Sequence, residues 1–288
     1  IPYRNSFISG FSISNIRSGR RKPGLMRQHV TAASAAAEIG GAKIQGAKLG
    51  SGTLIFEPRE IKPGGYRFDI GSAGSCALVL QTILPALALA NSLSEIVLEG
   101  GTHNPHAPPF KFLQKAFMPI LNKMGANVSA VLEKPGFYPA GGGKFRVSIE
   151  PTEKFAGLSL IERGRVFSRK AIAAVSNLPA HIARRELKTV GEKLGWEGNC
   201  LRMVELNNTR GPGNVLTVVI ECEKATEVFT GFGQKGVPAE KVAECTATQV
   251  LEYLNSGAPV GKYLADQLLI PMALAGKGVF RTLPPTGH

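Results

Sequence analysis

The chain has 288 residues, of which 43% are hydrophobic and 19% charged, an ordinary globular composition long enough for one large domain or two of moderate size. Its 34 Lys and Arg against 21 Asp and Glu leave a net charge of +13, which points to a polyanionic partner such as nucleic acid, nucleotide or an anionic membrane surface. No apolar run reaches the length of a membrane span and no basic-plus-apolar signal leads the chain, so no membrane anchor is expected and the protein reads as soluble. Cys76, Cys200, Cys222 and Cys245 are scattered without a C-x-x-C, as expected for reduced thiols of a cytoplasmic protein rather than a zinc site or a disulfide frame.

Residues 13–16 read as a short strand entering a basic stretch, 15–29, that holds Arg17, Arg20, Arg21, Lys22 and Arg27 and no acid. Gly19, Pro23 and Gly24 place these cations on a turning backbone rather than along one helix. An arginine fork matches a phosphate, and neighbouring glycines let backbone N–H groups approach it; a solvated basic loop is the competing reading. Residues 28–39 are Ala-rich and helical, closed by Gly40 and Gly41. Residues 43–57 alternate as strands with a turn at 50–52, and 64–70 form a strand after a glycine turn. A strongly apolar helix spans 75–91, a strand 95–99, a loop rich in Gly, Asn and Pro 100–109, and a helix 109–124. Strands at 127–132 and 144–149 flank a glycine turn at 136–143.

This order predicts an α/β (α+β) fold, a large domain of repeated α/β units with helices packed on sheets. Beyond about residue 159 the texture changes, with strands at 169–175, 215–221 and 226–231 and charged helices at 179–194 and 238–254. After 256–259 the Gly- and Ala-rich style returns, so a smaller inserted α/β domain, 161–255, is expected within a large domain formed by 1–160 and 256–288.

Few residues stand out chemically. Gln28 opens the first helix directly after the basic stretch, and Gln81 lies inside an apolar helix, where an amide needs a partner and a satisfied core amide is the plainer reading. Asp266 sits in an almost wholly apolar helical segment, where a carboxylate is paired with an Arg, caps something or binds a metal. Tyr263 falls on the same helical face. His288, as an isolated terminal residue, carries no message of its own. There is no G-x-x-x-x-G-K-[ST], no G-x-G-x-x-G opening a helix after a strand, no H-E-x-x-H and no G-x-S-x-G.

Taken together, the segments Ile-Arg-Ser-Gly-Arg-Arg-Lys-Pro-Gly-Leu-Met-Arg-Gln-His (16–29), Ile-Gly-Ser-Ala-Gly-Ser-Cys (70–76), Leu-Gln-Thr-Ile-Leu-Pro (80–85), Gly-Gly-Thr-His-Asn-Pro-His-Ala-Pro-Pro (100–109), Gly-Phe-Tyr-Pro-Ala-Gly-Gly-Gly (136–143), Tyr-Leu-Ala-Asp-Gln-Leu (263–268) and Thr-Gly-His (286–288) resemble the RNA 3′-terminal phosphate cyclase family. They run in the family's order over nearly the whole chain. The resemblance implies ATP-dependent conversion of an RNA 3′-phosphate to a 2′,3′-cyclic phosphate, through a covalent histidine–AMP and an adenylated RNA end, with Mg²⁺ or Mn²⁺ assisting. It implies a large domain of repeated α/β units, related to that of enolpyruvyl transferases, with a smaller inserted one. His288 then matches the nucleophile, and Arg17 and Arg20 the phosphate-binding arginines. Gln28 and Gln81 match active-site amides, and Asp266, with Gln267 beside it, a carboxylate near metal and nucleotide. Tyr263 and Pro108 match the residues that hold adenine between a ring and a proline. Arg21 and Lys22 are left as general RNA attraction or a solvated face.

The family's N-terminal Glu-Gly-Gly-Gly-Gln motif, whose Glu helps bind metal, has no match at residues 1–12, and the family continues beyond its histidine; both parts are expected in the full protein. The resemblance leaves the RNA substrate and the oligomeric state open. The alternative is a non-catalytic RNA-binding relative in ribosomal RNA processing, a branch that resembles the cyclases but lacks the histidine. His288, Arg17, Arg20 and Tyr263 together argue against it. A plain enolpyruvyl transferase is disfavoured by segments 263–268 and 286–288.

Overall fold

A computed structural model describes residues 9–286. Strand β1 (Phe11–Ile13) is followed by helix α1 (Arg27–Ile39), β2 (Lys43–Gln45) and β3 (Leu54–Glu57), and the three strands form an antiparallel sheet in the order β1-β3-β2. The first strand ends at Ile13 rather than starting there, because Asn15 and Arg17 both take φ of 54°, a left-handed conformation that breaks extended pairing. Helix α1 begins with a reciprocal cap in which His29 Nδ1 accepts the Met26 N–H at 3.0 Å.

The next unit contains β4 (Gly65–Asp69), α2 (Cys76–Ala88), β5 (Ser94–Gly100), a broken helix, β6 (Asn127–Lys134) and β7 (Gly143–Glu150), with strand order β4-β5-β7-β6. β4 and β5 run parallel, as the α2 crossover requires, and the remaining pairs are antiparallel. Burial alternates strictly along β5, where Ser94, Ile96, Leu98 and Gly100 face inward, so one face of this sheet meets helices. Val79, Leu80, Ile83 and Leu87 of α2 are wholly buried, each worth about 1.5–3 kcal/mol of apolar transfer. The helix expected over 109–124 is three pieces, α3 (Phe110–Phe112), a π-helical turn (Leu113–Phe117) and α4 (Met118–Lys123). Pro119 has no N–H to continue the α ladder, and Met118 N–H reaches back to Leu113 O instead.

After β8 (Leu158–Leu160) come β9 (Val166–Ser176), α5 (His181–Leu194), β10 (Leu201–Glu205), β11 (Gly213–Cys222), β12 (Thr226–Phe232) and α6 (Ala239–Ser256), with strand order β10-β9-β11-β12. Strand β10 is not evident in the sequence: it is short and its residues are only half-buried or exposed, so it carries no clean alternation. A separate apolar cluster holds this sheet to its helices, with Ala171, Ala173, Leu216 and Val218 of the sheet meeting Ala183, Val190, Ala243 and Val250. Helix α7 (Lys262–Ala275) and β13 (Gly278–Phe280) complete the described chain. β13 pairs in parallel with β8, so the chain returns beside the point it left before β9. The fold is α+β, with helices packed on several sheets, and no helix among the described residues is long and apolar enough to cross a membrane.

Candidate functional site

Helices α1, α2 and α7 and the π-helical turn line an open cavity of about 430 Å³. Its walls are largely apolar, formed by residues such as Leu78, Pro85, Phe117, Phe155, Ile270 and Pro271, and a few polar groups converge in it: Gln28, His29, Gln81, Asp266 and Gln267. Concave apolar walls with sparse, placed polar groups are the usual form of a small-molecule site. On α2, Leu78, Gln81, Thr82 and Pro85 line it at the i, i+3, i+4, i+7 spacing of one helical face, while Val79, Leu80 and Ile83 face the core. Gln81 is therefore half-buried at a cavity wall rather than a core amide.

Gln28 is fixed by the neighbouring loop. Its Oε1 accepts the backbone N–H of Ser75 at 3.1 Å, and Ser75 Oγ caps α2 by accepting from Leu78 N. Gly74 allows this approach, since a Cβ there would lie 3.0 Å from Gln28 Cβ and 2.8 Å from Ile70 Cγ2. With the oxygen engaged, the Gln28 Nε2 donor is the end left for a ligand. Gln28→Ala leaves the buried Ser75 N–H without its acceptor and should cost roughly 1–2 kcal/mol in denaturant unfolding, whereas Gln28→Glu, which keeps an acceptor, should cost less.

On α7, Asp266, Gln267, Ile270 and Pro271 turn toward the cavity while Leu264, Ala265 and Leu268 are buried. Thr286 Oγ1 donates to Asp266 Oδ2 at 2.8 Å, bringing the C-terminal segment onto the site two residues before His288. His288 itself lies outside the described residues. Asp266 is a single carboxylate, and among the described residues no group of three or more His, Cys, Asp or Glu could hold a metal ion.

The basic stretch is an ordered turn. Arg17 Nη1 donates to Lys22 O at 2.7 Å and Gly24 O at 2.9 Å, closing the loop on itself. Gly24, at φ 80°, packs so tightly on the 50–52 turn that a Cβ would sit 2.2 Å from Gly50 O. Arg17 thus has a scaffolding task besides any phosphate contact, and Arg20 projects into solvent. Arg17, Arg20, Pro108 and Tyr263 are not among the cavity's lining residues; Tyr263 is 52% exposed at the start of α7, with Lys262 Nζ 5.5 Å from its ring centroid.

His29 is the lining residue that sequence reasoning passed over. The only signal was its place beside Gln28 in Arg-Gln-His, one turn into a helix. Burial, reinforced by the nearby Arg17 cation, moves its pKa down, favouring neutral imidazole. Because Nδ1 accepts the Met26 N–H, the neutral ring carries its proton on Nε2.

A sequence model of the RNA 3′-terminal phosphate cyclases matches residues 6–288. The chain is 50% identical over 285 residues to the RNA 3′-terminal phosphate cyclase of Koribacter versatilis, covering 98% of this chain and 80% of that protein. It is 47% identical to the one from Ectopseudomonas mendocina (98% and 83% covered) and 48% identical to the one from Ralstonia nicotianae (98% and 82%). This chain belongs to that family of enzymes, the RNA 3′-terminal phosphate cyclases.

Proposed function

We propose that this chain uses ATP to convert an RNA 3′-phosphate into a 2′,3′-cyclic phosphate, with the α1–α2–α7 cavity as its adenylyl-transfer site. The observation that carries this reading is that Gln28, Gln81, Asp266 and Gln267, far apart in sequence, line one cavity. The His288 imidazole attacks the α-phosphorus of ATP, forming a P–N bond as pyrophosphate leaves. The AMP then passes to an oxygen of the RNA 3′-phosphate and frees the imidazole. Attack by the neighbouring ribose 2′-OH closes the cyclic phosphate and releases AMP. Imidazole suits this work because a phosphoramidate stays reactive toward a phosphate acceptor.

Arg17 and Arg20 supply positive charge to the phosphates, the first from a position locked by its own loop. Gln28 Nε2 and the Gln81 amide orient the nucleotide, the exposed Tyr263 ring offers the adenine one stacking face, and we read Pro108 as the other. Mg²⁺ or Mn²⁺, when bound, neutralises phosphate charge. Asp266 is the carboxylate in this cavity that would hold it, and one carboxylate together with substrate phosphates would suffice for Mg²⁺. We read residues 161–255 as an inserted unit within a large one formed by 1–160 and 256–288, a reading supported by the β8–β13 pairing and the separate apolar cluster around β9 and β11.

Incubation with α-labelled ATP, Mg²⁺ or Mn²⁺ and 3′-phosphorylated RNA tests this. The expected result is an acid-labile protein–AMP and an RNA end that resists phosphatase. A protein that binds RNA but takes up no label and leaves the 3′-phosphate unchanged would favour the non-catalytic RNA-binding relative.

A further inference from the structure

A second cavity, of about 260 Å³, is lined in part by Gly71 and Ser72, a few residues before Ser75, whose N–H bonds Gln28 of the first. Its walls are the turn at Gly71 and Ser72, the turn at Gly142 and Gly143, and charged side chains from both four-stranded sheets' loops and strands. Two acids and three cations line it. The acids are engaged: Asp69 Oδ1 accepts the Gly71 N–H at 2.8 Å, and Glu99 Oε1 lies 2.8 Å from Arg67 Nη2 and 4.0 Å from Lys144 Nζ. Lys144 is also paired with Glu133 at 2.9 Å. Lys134 and Arg210 have no ion pair or side-chain hydrogen bond among the described residues. The charge left uncompensated in this cavity is therefore positive.

Glycine makes room for it. A Cβ on Gly142 would lie 3.1–3.2 Å from Arg210 Cβ, Cδ and Nε, so the arginine stem crosses the turn at a place where only hydrogen fits comfortably. Gly142 has φ 71°, which strains any other residue as well. The 71–75 loop touches residues of both cavities: Gly71 and Ser72 line the second, and the N–H of Ser75 donates to Gln28, which lines the first. Among the described residues, no aromatic ring and no apolar side chain lines the second cavity, so they offer nothing on which a base could stack.

We propose that this cavity is a backbone subsite for the RNA strand leading to the reacting 3′ end, with Lys134 and Arg210 as its phosphate contacts. The inference rests on the RNA-end reading given above. It extends that site along the strand and gives Arg210, from the β10–β11 loop, a part in holding substrate.

Fluorescence anisotropy with labelled 3′-phosphorylated RNA tests it without relying on catalysis. The proteins are the whole chain and its Lys134→Ala/Arg210→Ala double variant, with Arg210→Lys as the charge-retaining control. The double variant should bind a long oligonucleotide about tenfold more weakly at low salt, and its log K against log salt should be shallower by about 1.4, ~0.7 per phosphate on a single strand. Arg210→Lys, which keeps both positive charges, should bind nearly as tightly as the unaltered chain. A nucleoside 3′-phosphate, which has no strand upstream of its 3′-phosphate, should compete equally against both proteins. Unchanged long-strand affinity and salt slope would overturn the subsite. So would a parallel loss of nucleoside 3′-phosphate or ATP binding, which would assign these cations to the first cavity or to free nucleotide. Labelling of the wild-type protein by ATP reads the adenylyl-transfer site separately, so failure there leaves the binding result standing.

Discussion

His288→Ala is expected to abolish uptake of AMP from ATP, and Asp266→Asn to slow it by about 10²–10³-fold, the usual range for losing a placed electrostatic group at a transfer site. Neither change should move the thermal midpoint by more than a degree or two. The two predictions are tied together by structure. Thr286 Oγ1 donates to Asp266 Oδ2, so Asp266 anchors the segment that leads to His288 as well as facing the cavity. Asparagine keeps an oxygen for Thr286 but removes the charge, so it separates anchoring from electrostatics. Thr286→Val removes the anchor and leaves the charge. If the carboxylate acts on the nucleotide, Asp266→Asn is severe and Thr286→Val mild. If it only anchors the segment, the order reverses. Rates of label uptake at saturating ATP, with circular dichroism to monitor folding, decide between them. Full labelling of both Asp266→Asn and His288→Ala would sink the assignment.

Most of the scaffold is legible in the chain because its signals are local. The apolar run of α2 and the alternation of β5 and β7 place their elements to within a few residues. Where reading failed, the cause is non-local. The helix over 109–124 has a continuous apolar face, yet Pro119 forces a π-turn that periodicity does not register. Strand β10 owes its existence to parallel pairing with β9, from Leu201 opposite Ala171 to Glu205 opposite Val175, rather than to its own pattern. The cavity is likewise a tertiary product. Gln28, Gln81 and Asp266 could be matched to a family pattern, but their convergence follows from α1, α2 and α7 meeting around the broken helix. Arg17 shows the opposite limit: its bonds to Lys22 and Gly24 carbonyls make it part of the loop's scaffold, which residue type alone does not reveal. His29 escaped notice because nothing in its sequence surroundings marks a cavity-facing residue; its place in the wall follows from α1 meeting α2 and α7.

Glu227→Gln is expected to make the protein more stable at alkaline pH and to leave it nearly unchanged near pH 5. Glu227 lies on β12, 2% exposed, with Oε1 accepting the Gly261 N–H at 2.6 Å, and Gly261 is the residue that opens α7. Burial pushes its carboxyl from 4.5 up to about 8, against the two backbone N–H bonds that favour the anion. Tyr253 and Cys222 are electrostatically coupled to it, and burial raises both the phenol and the thiol, so neither adds a second anion beside it in this range. The sign follows from proton counting. Between about pH 4.5 and 8 the folded chain keeps the proton that the unfolded chain has released, so stability falls as pH rises, by about 1.4 kcal/mol per pH unit for one proton. Above the folded pKa the full cost of the buried anion is present. Glu186, raised by burial to about 7 despite the Asn214 Nδ2 bond at 2.9 Å, adds the same trend over a shorter range. His103 opposes it: burial and Lys111 lower its pKa from 6.5 to about 4, so its contribution is lost as pH falls through that interval. The difference between wild type and Glu227→Gln isolates the one carboxyl, because the amide keeps the acceptor for Gly261 and cannot ionise. Urea unfolding at pH 5, 7 and 8.5 should show that difference growing with pH, and a constant difference would mean that Glu227 does not titrate in this range. Glu227→Ala is the counterpart: it leaves the Gly261 N–H buried without an acceptor, so it should destabilise at every pH and loosen the start of the helix that carries Asp266.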